Sequence, residues 1–355
     1  MHTGQTWPIT IFTPSFADAS NTNAQNLTVK EIVARLPSET FRVIMLCAGQ
    51  PDPRIANRKN TKLLPYYRHG NSAHLLMRSL LCRPHIYFYP RLGPLDSAWF
   101  AARKSFAART RVLTHVVSSV AEIGEKDPAI RCILQSDAVF ANSAFVAETV
   151  RQRFAFEART IYNGIDRRFF FPGSKRENRT SLRVLYAGSL QSRKRSDVVI
   201  RQAARFPHAI FSLAGKGQCD AACRQLAAQL DCRNVVFLGH LSQAELGDEM
   251  RRSDVFLFPS IDEGHPQVLG QAAACGLPVI AMNSYRPEYV VNDQTGFLLE
   301  SDEPMSSKLQ LLLCNPELRS SMAAVAVRHS QKFDWDEITE QWIAVFTQTA
   351  SRSTN

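Results

Sequence analysis

Asp262 to Ala281 reads D-E-G-H-P-Q-V-L-G-Q-A-A-A-C-G-L-P-V-I-A. Just before it, Asp254–Pro259 (D-V-F-L-F-P) is an apolar run of strand length. Small and apolar residues dominate from Pro266 to Cys275, the composition of a helix pressed onto a sheet. Gly276 supplies a glycine stop, and Pro278–Ala281 reads as the next buried strand. Strand, polar loop, helix, strand is one βαβ crossover between parallel strands. The loop Ser260–His265 therefore sits at the carboxyl end of a parallel strand and at the start of a helix. Open α/β sheets bind ligands there, and helix N-termini favour anions.

Working outward, 355 residues with 45% hydrophobic content suit two domains of Rossmann size. No apolar run reaches the ~18 residues that a membrane-crossing helix needs. Met1–Pro14 lacks a basic start and a long apolar core, so no secretory signal is expected. Eight cysteines without pairing rhythm suit a reducing, cytoplasmic setting. Cys219, Cys223 and Cys232 cluster without ligand spacing and read as ordinary thiols, so no metal is expected.

The net charge of +10 lies in the front half. Through Lys175 there are 23 Lys and Arg against 12 Asp and Glu; after it, 19 against 20. Such a half invites an anionic partner, either an anionic membrane surface or a phosphate-bearing acceptor. A solvated basic face would carry the same charge. No helix-turn-helix, zinc-finger or aromatic-basic RNA signature is present, so nucleic acid is not expected.

In order, Pro8–Thr13, Phe41–Cys47, His85–Tyr89 and Arg111–His115 read as strands, and the segments to Leu36, Ala73–Leu81 and Leu95–Ala108 as helices. Gly49–Asn60, with two prolines and four charges, reads as a mobile loop. The polar stretch Gly173–Thr180 marks the domain boundary. The expected division is residues 1–172, a linker at 173–182, a second domain at 183–335, and a closing helix from 336 with a disordered tail. In the second domain, Arg183–Ser189 is a strand ending in glycine, followed by L-Q-S-R-K-R and a helix from Asp197. Cations between a glycine-ended strand and a helix suit phosphate.

The stretch at 262–281 resembles the donor-site signature of the family four retaining glycosyltransferases, E-G-x-P-x-x-x-x-E-A-x-A-x-G-x-P-V-I-A. Glu263, Gly264, Pro266, Ala272, Ala274, Gly276, Pro278, Val279, Ile280 and Ala281 fall on that pattern. Gln271 stands where the family has its second acid. The resemblance extends upstream, where Asp137, Asn142, Ser143, Asn163, Gly164, Ile165, Asp166 and Phe170 follow the family's A-D-x-V-x-x-x-S and I-x-N-G-V-D patterns. It extends downstream to Pro287-Glu288 and Gly296–Leu299. Lys194 falls on the lysine of G-R-L-x-x-x-K-G, while Ser189 replaces its arginine with Arg193 nearby. The family's Gly-Gly pair after the first strand is missing.

The resemblance implies the α/β GT-B fold, two facing Rossmann-like domains with a cleft between them. Its last helix crosses back to the first domain. It implies a nucleotide diphosphate sugar as donor substrate, no cofactor or metal, and retention of anomeric configuration. The acceptor would be a glycan or lipid-linked molecule in polysaccharide or lipopolysaccharide synthesis, handled by a cytoplasmic enzyme peripheral to the inner membrane face. Glu263 and His115 are then assigned to the reaction centre. Gly188, Arg193, Lys194, Gly264, His265, Pro266, Gln267, Val268 and Gln271 are assigned to donor binding. A catalytically weak sugar-nucleotide-binding protein and a sugar-nucleotide epimerase of the same architecture are the alternatives. A Rossmann oxidoreductase also stays open, although no G-x-G-x-x-G follows the first strand; failure to bind NAD(P) would remove it.

Overall fold

A computed structural model describes residues 8–20, 24–66, 72–90, 94–117, 130, 133–173 and 181–351. The centre of the expected linker (174–180), residues 21–23 of the first polar loop, residues 118–120 after His115, and the tail from 352 lie outside the described residues. The chain forms two compact units, residues 1–163 with 335–355, and residues 164–334.

The first unit is built on seven strands: β1 Ile9–Phe16, β2 Phe41–Cys47, β3 Thr61–Pro65, β4 Ile86–Phe88, β5 Arg111–Val116, β6 Ala138–Ala141 and β7 Ala158–Thr160. All pairings are parallel, in the order β3-β2-β1-β4-β5-β6-β7. Parallel sheets are covered on both faces, which is why β1 and β5 are nearly continuous buried runs. The stretch expected as a mobile loop, Gly49–Asn60, instead holds the short helix Pro53–Ala56 and leads into β3. Three of its four charges are held by the fold. Asp52 caps the helix, Arg54 pairs with Asp52 and Glu31 at 2.8 Å each, and Arg58 donates to the carbonyls of Leu36 and Phe41. Ser143 accepts from the Val146 N–H at 3.1 Å, capping the helix Ala144–Phe154.

The C-terminal helix Trp335–Ser351 packs on this first unit. Trp335, Ile338, Trp342, Val345 and Phe346 recur at helical spacing and are buried. Trp342 meets Phe88 and Phe140 at ring separations of 4.8 and 5.0 Å, and Arg35 donates to Asp336 at 2.7 Å.

The second unit carries β8 Arg183–Ala187, β9 Ile210–Ala214, β10 Val235–Gly239, β11 Val255–Phe258, β12 Val279–Met282 and β13 Gly296–Leu299. These are parallel in the order β10-β9-β8-β11-β12-β13. The segment after Asn163 belongs here, so the division precedes the boundary expected at 173–182. Ile165 donates its N–H to Phe333 at 2.7 Å, Phe170 is buried, and Arg251 donates to the Phe169 carbonyl at 2.7 Å. These contacts bind the segment to the second unit before the polar stretch begins. In this sheet the chain runs outward from β8 to β10 and returns to β11 on the other side of β8. The strand order thus reverses between β8 and β11, and a crevice opens beyond their carboxyl ends at such a point.

Candidate active site

Two loops meet at that reversal. After β8 come Gly188, Ser189 and a 3-10 turn at Ser192–Lys194; Arg195, left-handed at φ 53°, then turns the chain into the helix Ser196–Arg205. After β11 comes Pro259 to Pro266, ahead of the helix Gln267–Ala274. Two glycines bring the next strand's loop against the first of these. A Cβ on Gly215, at φ +145°, would lie 1.9 Å from the Gly188 carbonyl, and one on Gly217 would lie 2.3 Å from that of Leu190. The G-K-G turn therefore braces the loop after β8, and only glycine fits at that approach.

The Lys194 ammonium donates to Glu263 Oε1, and Ser260 Oγ donates to the same oxygen at 2.6 Å. Arg193 faces Glu263 Oε2 at 3.5 Å and donates to the Asp262 carbonyl at 2.6 Å. The side chains of Lys194 and Glu263 are 12% and 8% exposed, so the pair is largely out of water. Burial pulls the Lys194 pKa down, and the Glu263 charge holds it up. Lys194 also lies 5.2 Å above the Phe258 ring. A buried pair of this kind stabilises weakly as a pair, yet strands a charge when one partner is lost. Two cations and a carboxylate thus converge at a strand-order reversal beside a helix start. Cations there can hold an anionic group, and the carboxylate can accept from a hydroxyl.

The structure brings together Arg193, Lys194 and Glu263, with Gly264 next to Glu263 in sequence and Gly188 against Tyr186 and Phe258. His265 is fully buried, stacks on Tyr289 at 3.9 Å and has Nε2 3.7 Å from Glu288, so its ring serves the packing of the second unit. Pro266 is buried at the N-cap, where no side chain caps the helix. Gln267 and Val268 begin the helix, half-buried, and Gln271 lies one turn further on, also half-buried. At the expected arginine position, the Ser189 carbonyl accepts from Tyr186 Oη at 3.3 Å. The cation at Glu263 Oε2 comes from Arg193 instead.

His115, assigned to the reaction centre by the resemblance, lies in the first unit at the end of β5. Its ring is 4% exposed and packs between Tyr89 and Trp342, with Nε2 at 3.2 Å from the Ile161 carbonyl. The C-terminal helix that supplies Trp342 closes over the strand end. Burial pushes the His115 pKa down to about 4. Unfolded histidine titrates near 6.5, so the unfolded chain binds a proton that the folded one refuses between these values. Stability is full above about pH 6.5 and should fall by about 3 kcal/mol as pH drops to about 4. Denaturant unfolding from pH 7 to 4 should show this loss, and His115→Gln should remove that portion of the slope.

Ser260 and Tyr285 were not singled out from the sequence. Ser260 directly follows the apolar run Asp254–Pro259, a position that could have flagged it; Tyr285 lies outside every motif. Among the described residues no group of three or more His, Cys, Asp or Glu could hold a metal ion, and no helix is long and apolar enough to cross a membrane.

Two parallel sheets flanked by helices, each unit Rossmann-like, define the GT-B fold, and residues 168–328 match the family of "Glycosyl transferases group 1". The chain is a GT-B protein related to that glycosyltransferase family. It is 26% identical over 299 residues to a D-inositol 3-phosphate glycosyltransferase of Jonesia denitrificans, covering 71% of this chain and 70% of that protein. It is 28% identical over 256 residues to the protein of that name from Xylanimonas cellulosilytica, covering 65% and 60%. The chain thus aligns with between three-fifths and seven-tenths of these relatives' length. The crystal structure of Anabaena HepE in complex with UDP and glucose superposes with a TM-score of 0.78 at 16% identity, covering 96% of this chain and all of that one.

Proposed function

We propose that the protein is a retaining glycosyltransferase that takes a sugar from a nucleoside diphosphate sugar and delivers it to a glycan or lipid-linked acceptor in surface polysaccharide or lipopolysaccharide synthesis. The observation that carries this reading is the ion pair of Lys194 with Glu263, with Arg193 alongside, at the reversal between β8 and β11. In this reading the diphosphate draws Lys194 and Arg193 to itself. Their charge, with the N-terminal end of the helix Gln267–Ala274, steadies the negative charge that develops on the leaving diphosphate. Glu263, released from Lys194 and still held by Ser260, accepts from a hydroxyl of the transferred sugar. Gly188 and Gly264 give the donor close backbone approach. His265 and Pro266 shape the loop from beneath, while Gln267, Val268 and Gln271 border the nucleoside. His115 takes a supporting part in this reading, its neutral ring holding the Ile161 carbonyl.

The basic front half suits a phosphate-bearing acceptor, and relatives named for D-inositol 3-phosphate fit that chemistry. The same charge suits a peripheral position on the anionic inner membrane face in the cytoplasm. Gln271 offers one carbonyl acceptor where a carboxylate offers two oxygens. Gln271→Glu should therefore tighten nucleoside diphosphate binding by about 1 kcal/mol, some fivefold, if that residue meets the ribose.

Calorimetric titration with UDP, GDP, ADP and NAD tests the reading. Selective binding of one nucleoside diphosphate, followed by sugar transfer from its conjugate, is the expected result. Binding of NAD alone would overturn it, as would the absence of any binding. Donor binding without transfer would leave a sugar-nucleotide-binding protein, and product formation without acceptor an epimerase.

A further inference from the structure

The loop after β12 runs through Asn283, Ser284, Tyr285 and Arg286, and β12 is the hydrogen-bonded neighbour of β11. Phe258 pairs with Ala281, so the loops that leave the two strands emerge side by side. They are tied directly, since Ser284 Oγ donates to the Ile261 carbonyl at 2.7 Å. The loop with Glu263 is therefore held against the loop with Tyr285.

Tyr285 is 1% exposed, and its phenolic oxygen, fully buried, has no hydrogen-bond partner among the described residues. Its pKa is raised well above the ordinary value, first by burial and then by the charge of Glu263, which lies within electrostatic reach. A buried hydroxyl left unpaired costs stability, and such a group in a native fold calls for a reason. Here it is a donor that stays neutral, on a loop tied to the one that carries a carboxylate whose own donors are Lys194 and Ser260.

We propose that Tyr285 is a specificity residue of the donor site, its hydroxyl donating to the oxygen of a sugar hydroxyl whose proton Glu263 accepts. This rests on the donor-site reading above. A fixed donor and a fixed acceptor facing one hydroxyl select for that hydroxyl, because a sugar lacking it leaves both groups unpaired. The nucleoside diphosphate part of the donor would not feel Tyr285. The sugar would.

The test compares wild type with Tyr285→Phe, which keeps the ring and its packing. Both are titrated calorimetrically with UDP, GDP and ADP and with UDP-glucose, GDP-mannose and ADP-glucose, and ligand-free melting temperatures are recorded. The expected result is nucleoside diphosphate affinity unchanged within about twofold, and the affinity increment from the sugar reduced about tenfold. The ligand-free melting temperature should be equal or higher, since an unpaired hydroxyl has been removed. The proposal is overturned by an equal sugar increment in both proteins, by no increment in the wild type, or by a melting temperature several degrees lower in the variant. An equal loss for diphosphate and sugar conjugate would also overturn it, as a distortion of the loops. If the wild type binds none of these nucleotides, the donor-site reading fails and this proposal fails with it; normal binding with an unchanged increment sinks the proposal alone.

Discussion

Replacing Lys194 by alanine should weaken nucleoside diphosphate binding by about 100-fold and lower kcat/KM by about a thousandfold, on the scale of charge-assisted bonds to a leaving group in a desolvated site. Lys194 is mostly buried and seated over Phe258, so no neighbouring ammonium can substitute for it. The fold should survive, because Glu263 keeps Ser260 at 2.6 Å and Arg193 at 3.5 Å. Calorimetry and steady-state kinetics on the purified variant would measure both losses. Unchanged diphosphate affinity in a well-folded variant would remove Lys194 from the donor site.

Glu263→Gln should separate binding from chemistry. At pH 7 or below, nucleoside diphosphate affinity should hold or rise severalfold, because the diphosphate no longer competes with a carboxylate for Lys194. Transfer should fall by about a hundredfold or more, since the acceptor facing the sugar has lost its charge. The pH dependence should change as well. Burial depresses the Lys194 pKa and Glu263 opposes that shift, so without the carboxylate the ammonium loses its proton at lower pH. Diphosphate binding by the variant should weaken with rising pH earlier than binding by wild type. Parallel titrations from pH 6 to 9 would reveal it; identical pH profiles would contradict the coupling.

The strands were legible because a sheet covered on both faces demands near-continuous apolar runs, and β1, β2, β5, β11 and β12 have them. β7 is three residues long and only partly buried, so it left no such trace. The charged stretch before β3 misled for a different reason. Its prolines and charges read as a mobile loop, yet Arg54 and Arg58 are consumed by Asp52, Glu31 and the backbone carbonyls of distant segments.

At the site, Glu263, Gly264 and Lys194 were marked by the resemblance to the family signature, and strand, loop and helix showed where such residues emerge. Their mutual contact was not legible, because the two partners are separated by the whole of β9, β10 and their helices. His115 shows the opposite limit. A strand-end histidine could face either solvent or core, and the choice fell to Trp342, more than two hundred residues later, on a helix that closes over it. Tyr285 had no pattern to mark it. Its place near the loop of Glu263 follows from the pairing of β11 with β12 and from the Ser284 tie between their loops.

By itself, then, the sequence determined the alternation of strand and helix, the glycine-braced loops and the types of charged residue at strand ends, all of which follow from local periodicity and backbone geometry. Only the tertiary structure decided which charges pair, which rings are buried and which buried hydroxyls are left without a partner among the described residues. Those outcomes depend on desolvation and on contacts between residues far apart in the chain, and no local pattern encodes them.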